Sequence, residues 1–187
     1  MLKVSGFSLL EMLISIILSS LIIIGCNSFY VQLQTNIMQY NQKIQLRNTI
    51  HQTLIGVTKD IRRAGFIAND PMKMTTKALE INSQQNCIII RYDNEIRSDW
   101  IYDPFYKKNS DIFAYRYHKN NLEYKTGTLD CQGSNWEKLF DPSKFKITRF
   151  VIKQRTNSIE ILLAAELINN KQINYQITKI VKNENLF

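Results

Sequence analysis

MLKVSGFSLLEMLISIILSSLIIIG, residues 1–25, decides how the rest of the chain is read. A polar leader carrying Lys3 ends at Gly6, and an apolar run opens at Phe7 and lasts to Cys26. About twenty helical residues at ~1.5 Å each span roughly 30 Å, the thickness of a bilayer's hydrocarbon core. Glu11 interrupts the run shortly after Phe7. An ionisable side chain inside a membrane helix costs on the order of 2.5–3.5 kcal/mol on insertion scales, so a carboxylate kept there calls for a partner and marks a functional site. Lys3 on the short side and a long domain on the other predict a cytoplasmic N-terminus and an exported domain.

The remaining composition fits one soluble domain attached to that segment. The chain has 187 residues, of which 44% are hydrophobic, and its net charge is +8. The isoelectric point is near 9.4 and the mean hydropathy −0.23. Such a basic balance permits contact with nucleic acid, acidic lipid or an acidic protein face. Cationic residues spread over strands and a helix, with no dense run, describe a solvated surface. Lys144, Lys146, Arg149, Lys153 and Arg155 form the one cluster dense enough to suggest a phosphate stripe. Of three cysteines, Cys26 ends the apolar run, while Cys87 and Cys131 share the exported domain. In an oxidising compartment that even pair reads as a disulfide. No CxxC occurs, and His51 and His118 have no ligand-spaced companions, so no metal is expected.

Past the membrane run the helical period continues. Leu33, Ile37, Tyr40, Ile44, Ile50, Leu54, Val57 and Ile61 recur at mostly three- and four-residue spacings, which predicts an amphipathic stripe. No proline precedes Pro71, and Arg62, Arg63 and Gly65 form a C-terminal signature. One helix from Phe7 to Ala64, near ~85 Å long, is therefore expected. Residues 66–86 read as a loop with at most one short element. β-rich runs follow at Cys87–Tyr92, Ile112–His118 and Asn121–Lys125, the last two joined by a tight turn at Lys119-Asn120. Residues 131–141 read as irregular. Phe145–Gln154, Ile159–Leu167 and Ile173–Val181 predict an antiparallel meander with one wet face. The fold class is α+β: a leader at 1–6, a membrane half of the helix at 7–26, an amphipathic half at 27–65 and a β-rich head at 66–187.

No enzyme is expected from these residues. GxSxG, HExxH and phosphate-binding loops are absent, and the six glycines are scattered singly. The acidic pairs Asp93/Glu95 and Asp99/Asp103 read as turn residues rather than a calcium loop. No cofactor is called for.

Lys3, Gly6, Phe7 and Glu11 within an uninterrupted apolar helix resemble the type IV pilin family, including the pseudopilins of type II secretion. The resemblance implies cleavage by prepilin peptidase between Gly6 and Phe7, N-methylation of Phe7, and an assembly role for Glu11, whose carboxylate pairs with the new α-ammonium of an adjacent subunit. A plain signal peptide explains neither Glu11 nor the Gly6-Phe7 junction. Ile23-Ile24-Gly25-Cys26 also resembles a lipobox, but Glu11 and the helical continuation past Cys26 oppose it. Asp60-Ile61-Arg62-Arg63-Ala64-Gly65-Phe66 is similar to the segment that closes the long helix in minor pilins of the PilW type. Residues 87–95, 113–131 and 135–152 resemble the prepilin-peptidase-dependent protein B group, related to pseudopilin J. Both Cys87 and Cys131 fall in those segments, which supports their pairing. Ser28 stands near the place where many major pilins carry a proline, and no cysteine pair brackets the C-terminus.

The implied function is a minor pilin that primes and assembles the pilus near its tip. The alternatives are a J-like pseudopilin or a tip pilin binding DNA or a surface. Implied partners are prepilin peptidase, other minor pilins, the major pilin, the inner-membrane assembly platform and inner-membrane lipid. The implied location is the inner membrane with a periplasmic head, and the pilus after assembly.

Overall fold

A computed structural model describes residues 8–66, 77–92, 111–156, 158–183 and 185. Gly6 and Phe7, the acidic pairs within 93–103 and Asn157 lie outside the described residues. One helix, α1 (Leu9–Arg63), is followed by eight described strands: β1 (Leu79–Ile81), β2 (Cys87–Arg91), β3 (Ile112–His118), β4 (Asn121–Thr126), β5 (Glu137–Lys138), β6 (Phe145–Arg155), β7 (Ser158–Leu167) and β8 (Asn174–Val181). The strands form two antiparallel sheets, ordered β1-β2-β3-β4-β5 and β6-β7-β8. The chain divides into two compact units, residues 1–42 and 43–187.

In the first unit, α1 from Leu9 to Cys26 is apolar on every side but for Glu11 and its serines, and the side chains there are exposed, Leu9 by 79%. It is long and apolar enough to cross a membrane once. Its hydroxyls are satisfied within the helix: Ser15 Oγ donates to Glu11 O at 2.7 Å, Ser19 Oγ to Ser15 O at 2.7 Å and Ser28 Oγ to Gly25 O at 3.0 Å. Serines placed this way leave no free hydroxyl donor for lipid to solvate.

In the second unit the same helix has one buried stripe, Leu46, Ile50, Leu54, Val57 and Ile61. These residues share a single core with Ile88 and Ile90 of β2, Tyr115 of β3, and Ile147, Ile152, Ile161 and Leu163 of the second sheet. Burying each such aliphatic side chain contributes about 1.5–3 kcal/mol, so helix and sheets form one cooperative body. The stripe is shorter than the sequence spacing suggests: Leu33, Ile37, Tyr40 and Ile44 are exposed. The cause is helical phase. Ile44 and Ile50 are six residues apart, about 600° of rotation at 100° per residue, which puts them a third of a turn out of register.

The sheets meet where hairpin turns of the first dock on the edge of β6. Ile147 N–H donates to Asn120 O at 2.9 Å and Ile152 N–H to Gln85 O at 2.8 Å. Lys119 and Asn120 both take positive φ, at 46° and 60°, as a two-residue hairpin requires. On β7, core residues Ile159, Ile161 and Leu163 alternate with half-buried Glu160 and Leu162, the period that leaves one face wet. β1 is the one short element for which the 66–86 loop left room, and the sequence missed β5, which is too short to show an alternation.

Candidate functional site

At the membrane end, Ser8 precedes the helix and Met12 N–H donates to its carbonyl at 3.2 Å, the first helical bond. Glu11 lies in the first turn, and its Oε2 accepts the backbone N–H of Ser8 at 2.9 Å. This is half of a capping box, in which a Glu three residues past the N-cap satisfies an orphan amide. A carboxylate also suits the positive end of the helix dipole. The Ser8-x-x-Glu11 spacing carries this signal in the sequence. Oε1 has no partner among the described residues.

At the other end of α1, Asp60 joins three parts of the head. Its Oδ2 accepts the hydroxyl of Tyr115 at 2.6 Å and its Oδ1 that of Tyr92 at 3.0 Å. An acid in the last turn opposes the helix dipole, and these two phenols supply the donors that hold it. Burial, then the Asp60 charge, raises both tyrosines far above the ordinary phenol value, and Tyr124 is pushed up to about 12 by burial and Asp60. The Arg63 guanidinium lies 5.9 Å from the Tyr92 ring centroid. Gly65 turns the chain with φ 80°, and its N–H donates to Arg91 O at 2.9 Å. Beyond β8, fully buried Asn183 donates from Nδ2 to Ile61 O and to Ala64 O, the latter at 2.9 Å. The helix's last carbonyls are thus capped by the chain's own C-terminal segment, which the sequence did not signal.

Cys87 and Cys131 are joined, with Cα atoms 6.3 Å apart. The bridge anchors the loop after β4 over the outer face of the first sheet, where Cys131 and Trp136 pack on Ile89, Ile112 and Ala114. Arg116 stacks on Trp136 with its guanidinium carbon 4.1 Å from the ring centroid, and its Nε donates to Glu123 at 2.9 Å. Cys26 is free and exposed on α1.

The basic cluster on β6 is largely neutralised. Lys146 pairs with Glu166 at 3.2 Å, Lys144 with Asp141 at 3.8 Å, and Arg155 with Glu160. Among the described residues, Arg149, set by the bulge after Ile147, and Lys153 have no ion pair.

The family model for prepilin peptidase-dependent protein B matches residues 39–183, which takes in the buried half of α1, both sheets, the disulfide and the Asn183 cap. The chain belongs to that family. Prepilin peptidase-dependent protein B of Escherichia coli strain K12 is 30% identical over 166 residues, covering 88% of this chain and 86% of that protein. No solved structure matches. The family match begins beyond the apolar run, so Asp60, Cys87, Cys131 and Asn183 lie inside it and Glu11 lies before it.

Proposed function

We propose that the chain is a minor pilin that prepilin peptidase cuts between Gly6 and Phe7, and that helps prime and assemble a pilus near whose tip it sits. The observation that carries this reading is Glu11 in the first turn of an all-round apolar helix, joined to a head of the prepilin peptidase-dependent protein B family. The head lies on the periplasmic side, Phe7 is the methylated terminus, and the chain acts as a structural subunit rather than an enzyme.

In this reading Glu11 meets two successive donors. Before assembly Oε2 is held by the Ser8 amide, which reduces the cost of keeping a carboxylate in lipid. During assembly Oε1 accepts the Phe7 ammonium of an adjacent subunit, an α-amine being largely cationic in water at neutral pH. An unpaired charge in the filament core is costly, so the pair selects one axial register. Methylation leaves the amine basic and the pairing intact.

The test compares wild type with Glu11→Leu and Glu11→Gln in cells expressing prepilin peptidase. Intact mass reports loss of residues 1–6, and co-purification of the other processed subunits reports assembly. The expected result is normal cleavage in all three with co-purification lost in Glu11→Leu. Uncut wild type, or Glu11→Leu that assembles normally, overturns the reading.

A further inference from the structure

β8 is an outermost strand of the second sheet, whose other edge, β6, meets the Asn120 and Gln85 turns. Leu167 N–H donates to Ile173 O at 3.1 Å, and the same register sets Tyr175, Ile177 and Lys179 opposite Ala165, Leu163 and Ile161. Hydrogen-bonded pairs alternate in an antiparallel ladder, so those three residues turn their N–H and C=O groups to β7. Ile152 agrees with this phase: its N–H points away from β7, and Ile161 opposite it is left to bond Lys179. The N–H and C=O groups of Asn174, Gln176, Thr178 and Ile180 therefore point out of the sheet. Among the described residues these outward groups have no partner.

Such an edge is ordinarily blunted by proline, a bulge, charge or a covering element. β8 runs for eight residues without proline or a shift in register, and Ile180 is 67% exposed on its outer face. Its one charge is Lys179, half-buried on the inner face. His51 Nε2 lies 3.0 Å from the Tyr175 hydroxyl, and Asn183 reaches Ile61 O and Ala64 O. Strand and helix thus run side by side in one direction, with Lys179 midway between those two ties. At 100° per residue Ile55 and Arg62 lie about 40° and about 20° round the helix from His51, so they share its flank. Ile55 is 59% exposed, and Arg62 is exposed too. Among the described residues neither Lys179 nor Arg62 has an ion pair. β8 contains no Asp or Glu, and Asp60, the one carboxylate of α1 between Lys43 and Arg63, is turned to the first sheet.

We propose that the open edge of β8 pairs antiparallel with an extended segment of a partner protein, and that this segment sets an acidic residue between apolar ones on its side facing α1. The backbone selects an extended chain, which presents free N–H and C=O groups, whereas a helix has used its own. Lys179 then stands in a non-hydrogen-bonded pair, the kind that brings facing side chains closest, so it meets a carboxylate and repels a cation. The apolar neighbours of that carboxylate lie toward the flank of Ile55. A second copy of this chain is the wrong occupant. Pairing two β8 edges puts two Lys179 side chains on one face with no carboxylate on either strand, between chains that each carry +8. The inference goes beyond the assembly reading above and does not depend on it.

The experiment uses the full chain in detergent micelles and the synthetic peptide Thr-Val-Thr-Glu-Thr-Val-Thr, with a second peptide that carries Lys in place of Glu. Amide exchange is followed at Gln176, Thr178 and Ile180, with Tyr175 and Ile177, which β7 holds, as internal controls. The expected result is fast exchange at the first three in the free protein, about ten-fold slowing with saturating Glu peptide, and unchanged controls. The Lys peptide should bind about ten-fold more weakly, and Lys179→Glu should reverse that preference. Thr178→Pro removes an N–H that β7 does not use, so the controls keep their rates and affinity for the Glu peptide falls about five-fold, the worth of one hydrogen bond. Outward amides already slow in the free protein show that another part of the chain or a second copy fills the edge, and overturn the proposal. Outward amides unmoved by the Glu peptide overturn it as well. So do equal affinities for the two peptides, a preference that survives Lys179→Glu, or full affinity in Thr178→Pro.

Discussion

The hydroxyl of Tyr115 on β3 donates to Oδ2 of Asp60 in the last turn of α1 at 2.6 Å, and Tyr92 takes the other oxygen. Helix and first sheet are therefore tied by a charge-assisted pair in addition to apolar packing. Tyr115→Phe keeps the ring and its contact with Tyr124 but strips one donor from a half-buried carboxylate. A loss of about 1–3 kcal/mol is expected, read as a lower urea midpoint in detergent micelles. An unchanged midpoint shows that water replaces the phenol without cost.

The same cluster sets an alkaline limit on stability. A phenol raised in the folded state contributes stability that is complete below the unfolded value near 10 and is lost as pH climbs toward the folded value. Tyr124, pushed up to about 12, defines a window from about pH 10 to 12, and Tyr92 and Tyr115, raised further, extend it upward. Wild type should lose stability steeply across that window. Asp60→Asn, which removes the second-largest cause of all three shifts, should show a shallower loss even if it starts lower. Equal slopes in the two proteins contradict this origin.

Why the sequence disclosed some of this and not the rest follows from the range of each signal. The membrane run, the Cys87–Cys131 pairing and the β6-β7-β8 meander rest on long periodic stretches or on a cysteine count, and the structure contains all three. The stripe on α1 failed at Ile44 because spacing alone does not track phase over six residues. Asp60 was legible only as part of a motif, since its donors come from 32 and 55 residues away. Asn183 was invisible for the same reason, being 119 residues from Ala64. Glu11 was half legible: its burial cost was evident, whereas the Ser8 amide that meets it needed the capping spacing to be noticed.

Asn183 closes the helix end from the far end of the chain. Its Nδ2 reaches Ile61 O and Ala64 O, and its Oδ1 accepts Asn185 N–H at 2.6 Å. Asn183→Ala removes a donor from two carbonyls, leaving Ile61 O with the Ala64 N–H at 3.2 Å and Ala64 O with Asn185 Nδ2 at 3.4 Å, and should cost about 0.5–1.5 kcal/mol, while Asn183→Asp replaces the donor by an anion beside those carbonyls and should cost more. Exchange of amides in residues 58–64 gives the local readout. Protection equal to wild type in both variants shows that the helix end is held without this side chain.

The disulfide closes a loop with a sequence separation of 44. The chain-entropy model assigns such a loop about 4 kcal/mol. Cys87→Ser with Cys131→Ser should lose most of that and loosen the loop after β4. Trp136 emission reports the loop directly, because Arg116 stacks on the indole and the ring packs on Ile89 and Ala114. A red shift with retained helix content is expected. A collapse of α1 alongside it shows that the loop supports the main core and not the outer face alone.

The β6 cations are the last place where a ligand suggests itself, and three of the five are paired with carboxylates. Five free cations on a duplex give a slope of about −4.5 in log affinity against log salt, at about −0.9 per phosphate. With Lys144, Lys146 and Arg155 held by carboxylates, Arg149 and Lys153 alone give about −2. The full chain in detergent should accordingly be released from immobilised duplex DNA well below 0.15 M salt, roughly the physiological level. Glu160→Gln with Glu166→Gln frees Lys146 and Arg155 and should steepen the slope toward about −4. Strong wild-type retention with a slope near −4.5 shows instead that phosphate displaces those ion pairs, and restores a nucleic-acid surface on the outer face of β6.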